Sequence, residues 1–358
     1  MAWRVASELD RLGLDVTVLT RITDPERVND TRRSLKVQKI SVPSAWQPLR
    51  VALFSRAAAR AAEGGSFDIV HSFSRTRHQD LYRAGGGSHQ EYMRHRYSTG
   101  ARVLRAASPR HRILRRIEQA VFDDPSQRIQ CASRFVADAL IAKHGVSPER
   151  ILLLPNAVDA KRFGTEDTRS AGRRFRAEID DKAELIWLFP ASGWQRKGLP
   201  ELFKSFASLP DPGLRLWIAG RDDPGPWKRI AMQLGIADRI RFLGQRDDLE
   251  VIYGAVDGMV LPTRYDAFAN VTLEAAASGL PIITTKTNGA AEWLDEAVVR
   301  LEDAGDPVAL AQAMRALSSA EQRRELGERA QTLARRMDWL GHAETLVEEY
   351  RRILRLRT

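Results

Sequence analysis

Strand-like and helix-like patterns alternate along this chain in two series, and a short apolar strand ending in a Pro-Asn turn divides them. In the first series residues 1–13 space apolar side chains three and four apart (Trp3, Val5, Ala6, Leu9, Leu12) and stop at Gly13, after which Val16–Thr20 is a compact β-branched run. Val37–Val42 reads as a strand, Pro48–Ala62 as a helix and Phe67–Phe73 as a strand. DLYRAGGGSH reads as a strand entering a glycine turn, 101–122 as one long helix, RIQCAS as a strand and 134–144 as a helix. The divider is Ile151–Phe163, ILLLPNAVDAKRF. Strands follow at 186–192, 214–220, 239–244, 258–262 and 281–285, with helices near 199–208, 226–234, 247–255 and 270–278 and an Arg/Glu-rich helical tail over 306–357. Such alternation demands parallel pairing with helical crossovers, so the expected class is α/β: two Rossmann-like doubly wound domains with a cleft between them. Their expected bounds are 1–158 and 159–338, with 339–358 a closing helix packed back toward the first. Ligands in such folds sit at the carboxyl ends of the strands.

A doubly wound domain opens on a strand and a glycine turn, whereas this sequence opens inside a helix. The expectation is therefore a first domain without its opening strand, as an N-terminal truncation would leave it.

The 358 residues exceed what one core serves, and 43% apolar against 28% charged residues is a globular balance. Cys131 is the only cysteine, which excludes an internal disulfide, a cysteine zinc cluster and a CxxC redox pair. No apolar run approaches the length of a membrane span, and the opening residues lack the order of a signal peptide. A cytoplasmic protein is expected on those grounds. A net charge of +10, mostly arginine, favours anionic partners. Arginine is densest from Arg94 to Arg116, with no acid before Glu118, and this stretch is a candidate peripheral contact with an anionic membrane on the inner face of the plasma membrane, or with a phosphorylated acceptor. Tyr97 within it and Tyr92 just before it are the only aromatics suited to base stacking there, so nucleic acid is not expected.

The segment Thr263–Thr285, TRYDAFANVTLEAAASGLPIITT, carries the densest chemistry. Strand GMVLP ends at Pro262, Asp266 stands in the turn, and a helix beginning near Ala269 or Asn270 carries Glu274 about one turn inside. A helix N-terminus suits a diphosphate, and a carboxylate accepts paired sugar hydroxyls. Helix capping by Asp266 and a solvated Glu274 are the structural alternatives. Upstream, PASGWQRKG (190–198) joins a strand to a helix and holds Arg196 and Lys197.

These residues resemble the family 4 glycosyltransferases, and more narrowly their lipopolysaccharide-core glucosyltransferases. The acid, seven residues, then Glu hallmark stands here as Asp266 and Glu274, continued by Leu273, Ala275 and Gly279-Leu280-Pro281. The resemblance implies the GT-B fold and a retaining, metal-independent hexosyltransferase with no cofactor beyond its nucleotide-sugar donor, UDP-linked, and a bacterial envelope glycan or glycolipid as acceptor. Glu274 would bind the ribose hydroxyls, while Asp266, Phe268, Ala269 and Asn270 would hold donor sugar and phosphate. Asp266 replaces the usual Glu, a shorter reach that bears on donor preference. Lys197 would pair with the diphosphate. The family's arginine position is Ser192 here, and Ser192 and Arg196 join the donor set. Gln245 and Arg246, after Gly244, would lie by the base, and NGAAEW (288–293) matches the loop approaching the donor.

In the first domain His89, after the Gly85-Gly86-Gly87 run, is the candidate facing the anomeric region, with His71 and His78 as alternates. The resemblance implies no protein nucleophile, so catalysis rests on position and charge, with His89 and Asp266 as the catalytic pair. Rival readings are a non-catalytic nucleotide-sugar-binding relative and a nucleotide-sugar 2-epimerase.

Overall fold

The computed structural model describes residues 1–21, 35–42, 46–97, 99–106 and 108–357. They form two compact units, residues 1–156 with 339–358 and residues 157–338.

In the first unit α1 (Ala2–Arg11) leads into a parallel pair, β1 (Thr17–Thr20) and β2 (Lys36–Lys39), followed by α2 (Gln47–Glu63). A four-stranded parallel sheet takes the order β3 (His71–Ser72), β4 (Leu81–Arg83), β5 (Arg128–Cys131), β6 (Ile151–Leu153). Its helices are α3 (His89–Arg96), α4 (Thr99–Ala106), α5 (Pro109–Asp123) and α6 (Arg134–His144). The single helix expected over 101–122 is two. Pro109 lacks an N–H and stands at the first turn of α5, so it starts a helix where it would break one. The strand expected over Phe67–Phe73 is only two residues long. Within this unit the last helix, α14 (Trp339–Arg355), lays Ala343, Leu346, Tyr350 and Ile353 against Val5, Leu9, Leu81 and Leu154. That spacing is one stripe of a helix, which makes α14 part of this core.

The second unit opens on α7 (Glu166–Glu178), which the sequence pattern hides because its residues are mostly polar. Thr165 caps it, its side chain accepting from Thr168 N, and Glu166 and Asp167 fill the first turn. The sheet is six parallel strands in the order β12-β11-β10-β7-β8-β9. These are β7 (Leu185–Pro190), β8 (Leu214–Ala219), β9 (Ile240–Gly244), β10 (Gly258–Leu261), β11 (Ile282–Thr285) and β12 (Val299–Leu301). Helices α8 (Leu199–Ala207), α9 (Gly225–Gln233), α10 (Leu249–Ala255), α11 (Asn270–Ala277), α12 (Pro307–Ala316) and α13 (Ala320–Ala334) complete it. Strands β7 and β10 are buried over nearly their whole length, as strands covered by helices on both faces must be. The chain winds outward from β7 in one direction through β8 and β9, and from β10 in the other through β11 and β12. The order therefore reverses between β7 and β10, and the loops leaving their carboxyl ends, 191–198 and 262–269, meet there.

Candidate functional site

Two loops of the second unit are laced together at this reversal. Gly193, at φ +78°, and Trp194 donate their amides to the Asp222 carboxylate at 2.7 and 3.1 Å, so an acid after β8 shapes the loop after β7. Arg196 donates to the Tyr265 carbonyl, and Arg264 returns its amide to the Arg196 carbonyl at 3.0 Å. Gly198, at φ +87°, passes so close to the end of β10 that a Cβ there would lie 1.9 Å from the Pro262 carbonyl oxygen. Only glycine fits that approach.

Within this lacing the Lys197 ammonium contacts the Asp266 carboxylate. Lys197 is buried, and burial lowers its pKa while Asp266 pulls the other way. Asp266 holds its place through backbone bonds to the loop after β11: its amide reaches Thr287 O and its carbonyl accepts from Gly289 N, both at 2.9 Å. The fully buried Asn288 fastens that loop, donating to Thr272 and Thr284 hydroxyls at 2.8 and 3.0 Å and accepting from Ala269 N and Ala290 N.

Asp266 does not cap α11; no side chain does, and the N-cap residue is Ala269. The Phe268 amide turns to Asp266 Oδ1 at 3.2 Å and the Ala269 amide to Asn288 Oδ1 at 3.3 Å. The two amides expected to face a ligand thus make long bonds inside the loop, and the side chains of Phe268 and Ala269 are buried. Asn270 is the first residue of α11. Glu274, one turn further on, lies 3.3 Å from the Tyr253 hydroxyl, and burial raises its pKa. Arg162, bonded to Glu250 at 2.7 Å, adds a cation that draws Glu274 the other way.

Other sequence candidates lie around this corner. Ser192 accepts from Arg221 N at 3.1 Å. Gln245 is exposed at the end of β9, and Arg246 is tied in a two-pronged bond to Asp248 at 2.8 and 2.6 Å with its guanidinium over the Phe175 ring. Asp222, Tyr253, Arg162 and Asn288 escaped sequence reasoning. Asn288 alone had a signal, since a polar residue three past a buried β strand and just before a glycine implies a turn that needs internal partners.

In the first unit His89 opens α3, buried, with its amide on Glu118 at 2.8 Å and its Nε2 2.8 Å from His111 Nδ1. Burial and nearby cations lower its pKa to about 4, so it is neutral at physiological pH. Beside it, cavities of about 310 and 300 Å³ share Gln90 and Arg115 in their walls, with Arg112 and Arg116 in one and Arg94, Arg102 and Lys143 in the other. Arg94, Arg102, Arg112, Arg115 and Arg116 of the basic run thus line concave surface, drawn from three helices rather than from one helical face.

A doubly wound sheet whose reversal carries a lysine and an acid, in one chain with a second parallel βα unit, is the architecture of GT-B glycosyltransferases. A model described as Glycosyltransferase Family 4 matches residues 1–162, and one described as Glycosyl transferases group 1 matches residues 184–320. The chain belongs to this family of glycosyltransferases. It is 29% identical over 380 residues to D-inositol 3-phosphate glycosyltransferase of Corynebacterium urealyticum, covering 97% of this chain and 88% of that one. Among solved structures, WaaG, a glycosyltransferase involved in lipopolysaccharide biosynthesis, matches with a TM-score of 0.80 and 22% identity over 97% of this chain and 94% of that one. HepE of Anabaena in complex with UDP-glucose matches with a TM-score of 0.74 and 16% identity over 97% and 94%.

Proposed function

We propose that the chain transfers a hexose from a UDP-sugar to a bacterial envelope glycan or glycolipid, of the lipopolysaccharide-core kind, with retention of anomeric configuration. The observation that carries this reading is the contact of Lys197 with Asp266 at the strand-order reversal, in the loop that leads into α11, which carries Glu274 one turn inside. A lysine held there by a single carboxylate is poised for a stronger anion. A donor diphosphate takes the Lys197 ammonium, with Arg196 and Ser192 beside it, and Asp266 is released toward the sugar hydroxyls. Glu274 accepts the two ribose hydroxyls, and the N-terminus of α11 with Asn270 faces the phosphates. The Phe268 and Ala269 amides exchange their long internal bonds for the donor, while Gln245 and Arg246 border the base. His89 acts on the acceptor side through position and as a neutral group. The HepE complex with UDP-glucose and the inositol-phosphate relative support, respectively, the donor and a phosphorylated acceptor. Peripheral docking to an anionic membrane on the cytoplasmic side fits the basic Arg94–Arg116 surface; among the described residues no helix is long and apolar enough to cross a membrane. The test is a donor screen that follows nucleotide release with and without envelope glycolipid extracts: acceptor-dependent UDP release supports the reading, and release indifferent to every acceptor overturns it.

A further inference from the structure

Under α14 the sheet of the first unit presents a polar node whose one mutual hydrogen bond, between the side chains of His71 and Gln130, is too loose to satisfy either group. Arg83 on β4 and Gln130 on β5 stand opposite each other in register, and residues in register on parallel strands share a face. Two residues back along β4, Leu81 is paired with His71 of β3 on that same face. His342, in the first turn of α14, couples electrostatically to both His71 and Arg83. The Nε of Arg83, Nε2 of His71, Nε2 of His342 and both amide atoms of Gln130 are buried, and none has a hydrogen-bond partner of normal geometry among the described residues. Gln130 is fully buried and His342 is 4% exposed.

The charge balance is as uneven as the hydrogen bonding. Among the described residues Arg83 bonds to the neutral Asn156 side chain, at 2.6 Å, and lies 5.8 Å over the Phe73 ring. Burial lowers its pKa to about 10, which leaves it cationic at neutral pH. Glu349, the buried carboxylate of α14, is committed to Arg128. A half-buried guanidinium whose Nε is enclosed and unpaired among the described residues is costly, and orphaned buried polar atoms call for a partner. The two histidines refine what that partner must be. His342 Nδ1 faces the Pro155 carbonyl at 2.8 Å, so in the neutral ring Nδ1 donates and Nε2 keeps a lone pair. His71 Nδ1 is 2.7 Å from the Tyr350 hydroxyl. The set thus offers a fixed cation, an amide that can donate and accept, and a lone pair that needs a proton from its ligand. A halide would serve only the donors. A hydrogen-bearing oxyanion serves all of them.

We infer that His71, Arg83, Gln130 and His342 form an oxyanion site in the first unit, specific for a phosphate group, either free or as a phosphomonoester. The site stands on groups of the first unit alone, so it does not depend on the donor assignment. Its measurement is made in the full-length Lys197→Met background, where the donor-side lysine cannot contribute. Inorganic phosphate, D-inositol 3-phosphate and sodium chloride at matched ionic strength are titrated while the histidine ring resonances are followed by NMR. Phosphate should shift the His71 and His342 resonances, identified through His71→Gln and His342→Gln, and chloride should not. Arg83→Gln should weaken phosphate binding by about tenfold or more, the loss expected for a charged hydrogen bond. Should Arg83→Gln fail to fold, the conservative His342→Gln must weaken it in its place. Binding of both phosphate probes supports the site with a phosphomonoester as ligand; binding of inorganic phosphate alone supports it with the free ion. Failure of both probes to shift the two resonances, equal effects of chloride, or affinity unchanged in the variants overturns it.

Discussion

Lys197 and Asp266 touch across the two loops that leave β7 and β10, although 69 residues separate them in the chain. Their contact joins the segment holding the lysine to the segment holding the acid, and it predicts a separable effect on stability and on transfer. Removing Asp266 leaves the buried Lys197 ammonium unpaired, at about 3–5 kcal/mol, and removing Lys197 leaves the part-exposed Asp266 with the Phe268 amide, at a smaller cost. Lys197→Met and Asp266→Ala should each lower the melting temperature of the second unit and reduce transfer by about a hundredfold or more. The double variant Lys197→Met/Asp266→Leu should regain most of the melting temperature while staying inactive. Recovery of activity together with stability would show the pair to be a structural staple only.

Asn288 predicts a second effect at a distance from the ligand. Its side chain ties the loop after β11 to α11 through Thr272, and it is fully buried. Asn288→Ala leaves the Ala269 and Ala290 amides without their side-chain acceptor and takes a donor from the Thr272 and Thr284 hydroxyls, a cost of about 2–4 kcal/mol, and loosens the backbone that seats Asp266. Donor affinity should fall along with stability in denaturant titrations. Stability lost with unchanged donor affinity would detach this loop from the site.

Gly198→Ala places a Cβ against the Pro262 carbonyl at a positive φ. The loop must shift, so turnover should fall more than the replaced residue's lack of a functional group suggests, at about 1–3 kcal/mol of strain. Wild-type kinetics and melting in this variant would mean that the close approach of 191–198 to β10 is dispensable.

All seven histidines lie in the first unit. Burial is the largest cause in lowering the pKa of His71 to about 3 and of His89 and His342 to about 4. Unfolded, these rings take up protons near pH 6.5, whereas folded they do so only near 3 to 4. The unfolded chain therefore binds more protons between those values, and the stability these groups contribute is present above about pH 6.5 and lost as the pH falls toward 4. The first unit should melt earlier than the second as pH is lowered through this window, by a few kcal/mol in total. Fluorescence separates the two, since Trp187, Trp194, Trp217, Trp227 and Trp293 report the second unit and Trp3, Trp46 and Trp339 the first. A first-unit transition insensitive to pH from 7 to 4 would contradict the burial of these rings.

Strands β7, β8, β10 and β11 were legible because they are buried over nearly their whole length, which writes each as a continuous apolar run; IWLFP and GMVLP leave no other reading. Strand β9 is only half-buried yet still read as RIRFLG, whereas β12, three residues long with Arg300 exposed, was not read at all. Helix α7 was not legible either, because its packing face is narrow and its residues Glu166–Glu178 are mostly charged; only the Thr165 cap marks it. The split of α4 from α5 at Pro109 was written in the sequence as a proline, but helical spacing on both sides masks it. At the site, Lys197, Asp266 and Glu274 could be singled out from residue type and spacing. Asp222 and Tyr253 could not, since each reaches the site from a different strand or helix, and only the three-dimensional order of the sheet brings them there.

The central claim, that the second unit holds a nucleotide-sugar donor on Glu274 and Lys197, is tested most directly by calorimetric titration of UDP into the full chain and into Glu274→Ala. A carboxylate bonded to two ribose hydroxyls contributes about 1.5–3 kcal/mol, so the variant should bind UDP at least about tenfold more weakly while melting close to the wild type. Equal UDP affinity in the two proteins, or no UDP binding by the wild type, would contradict the account.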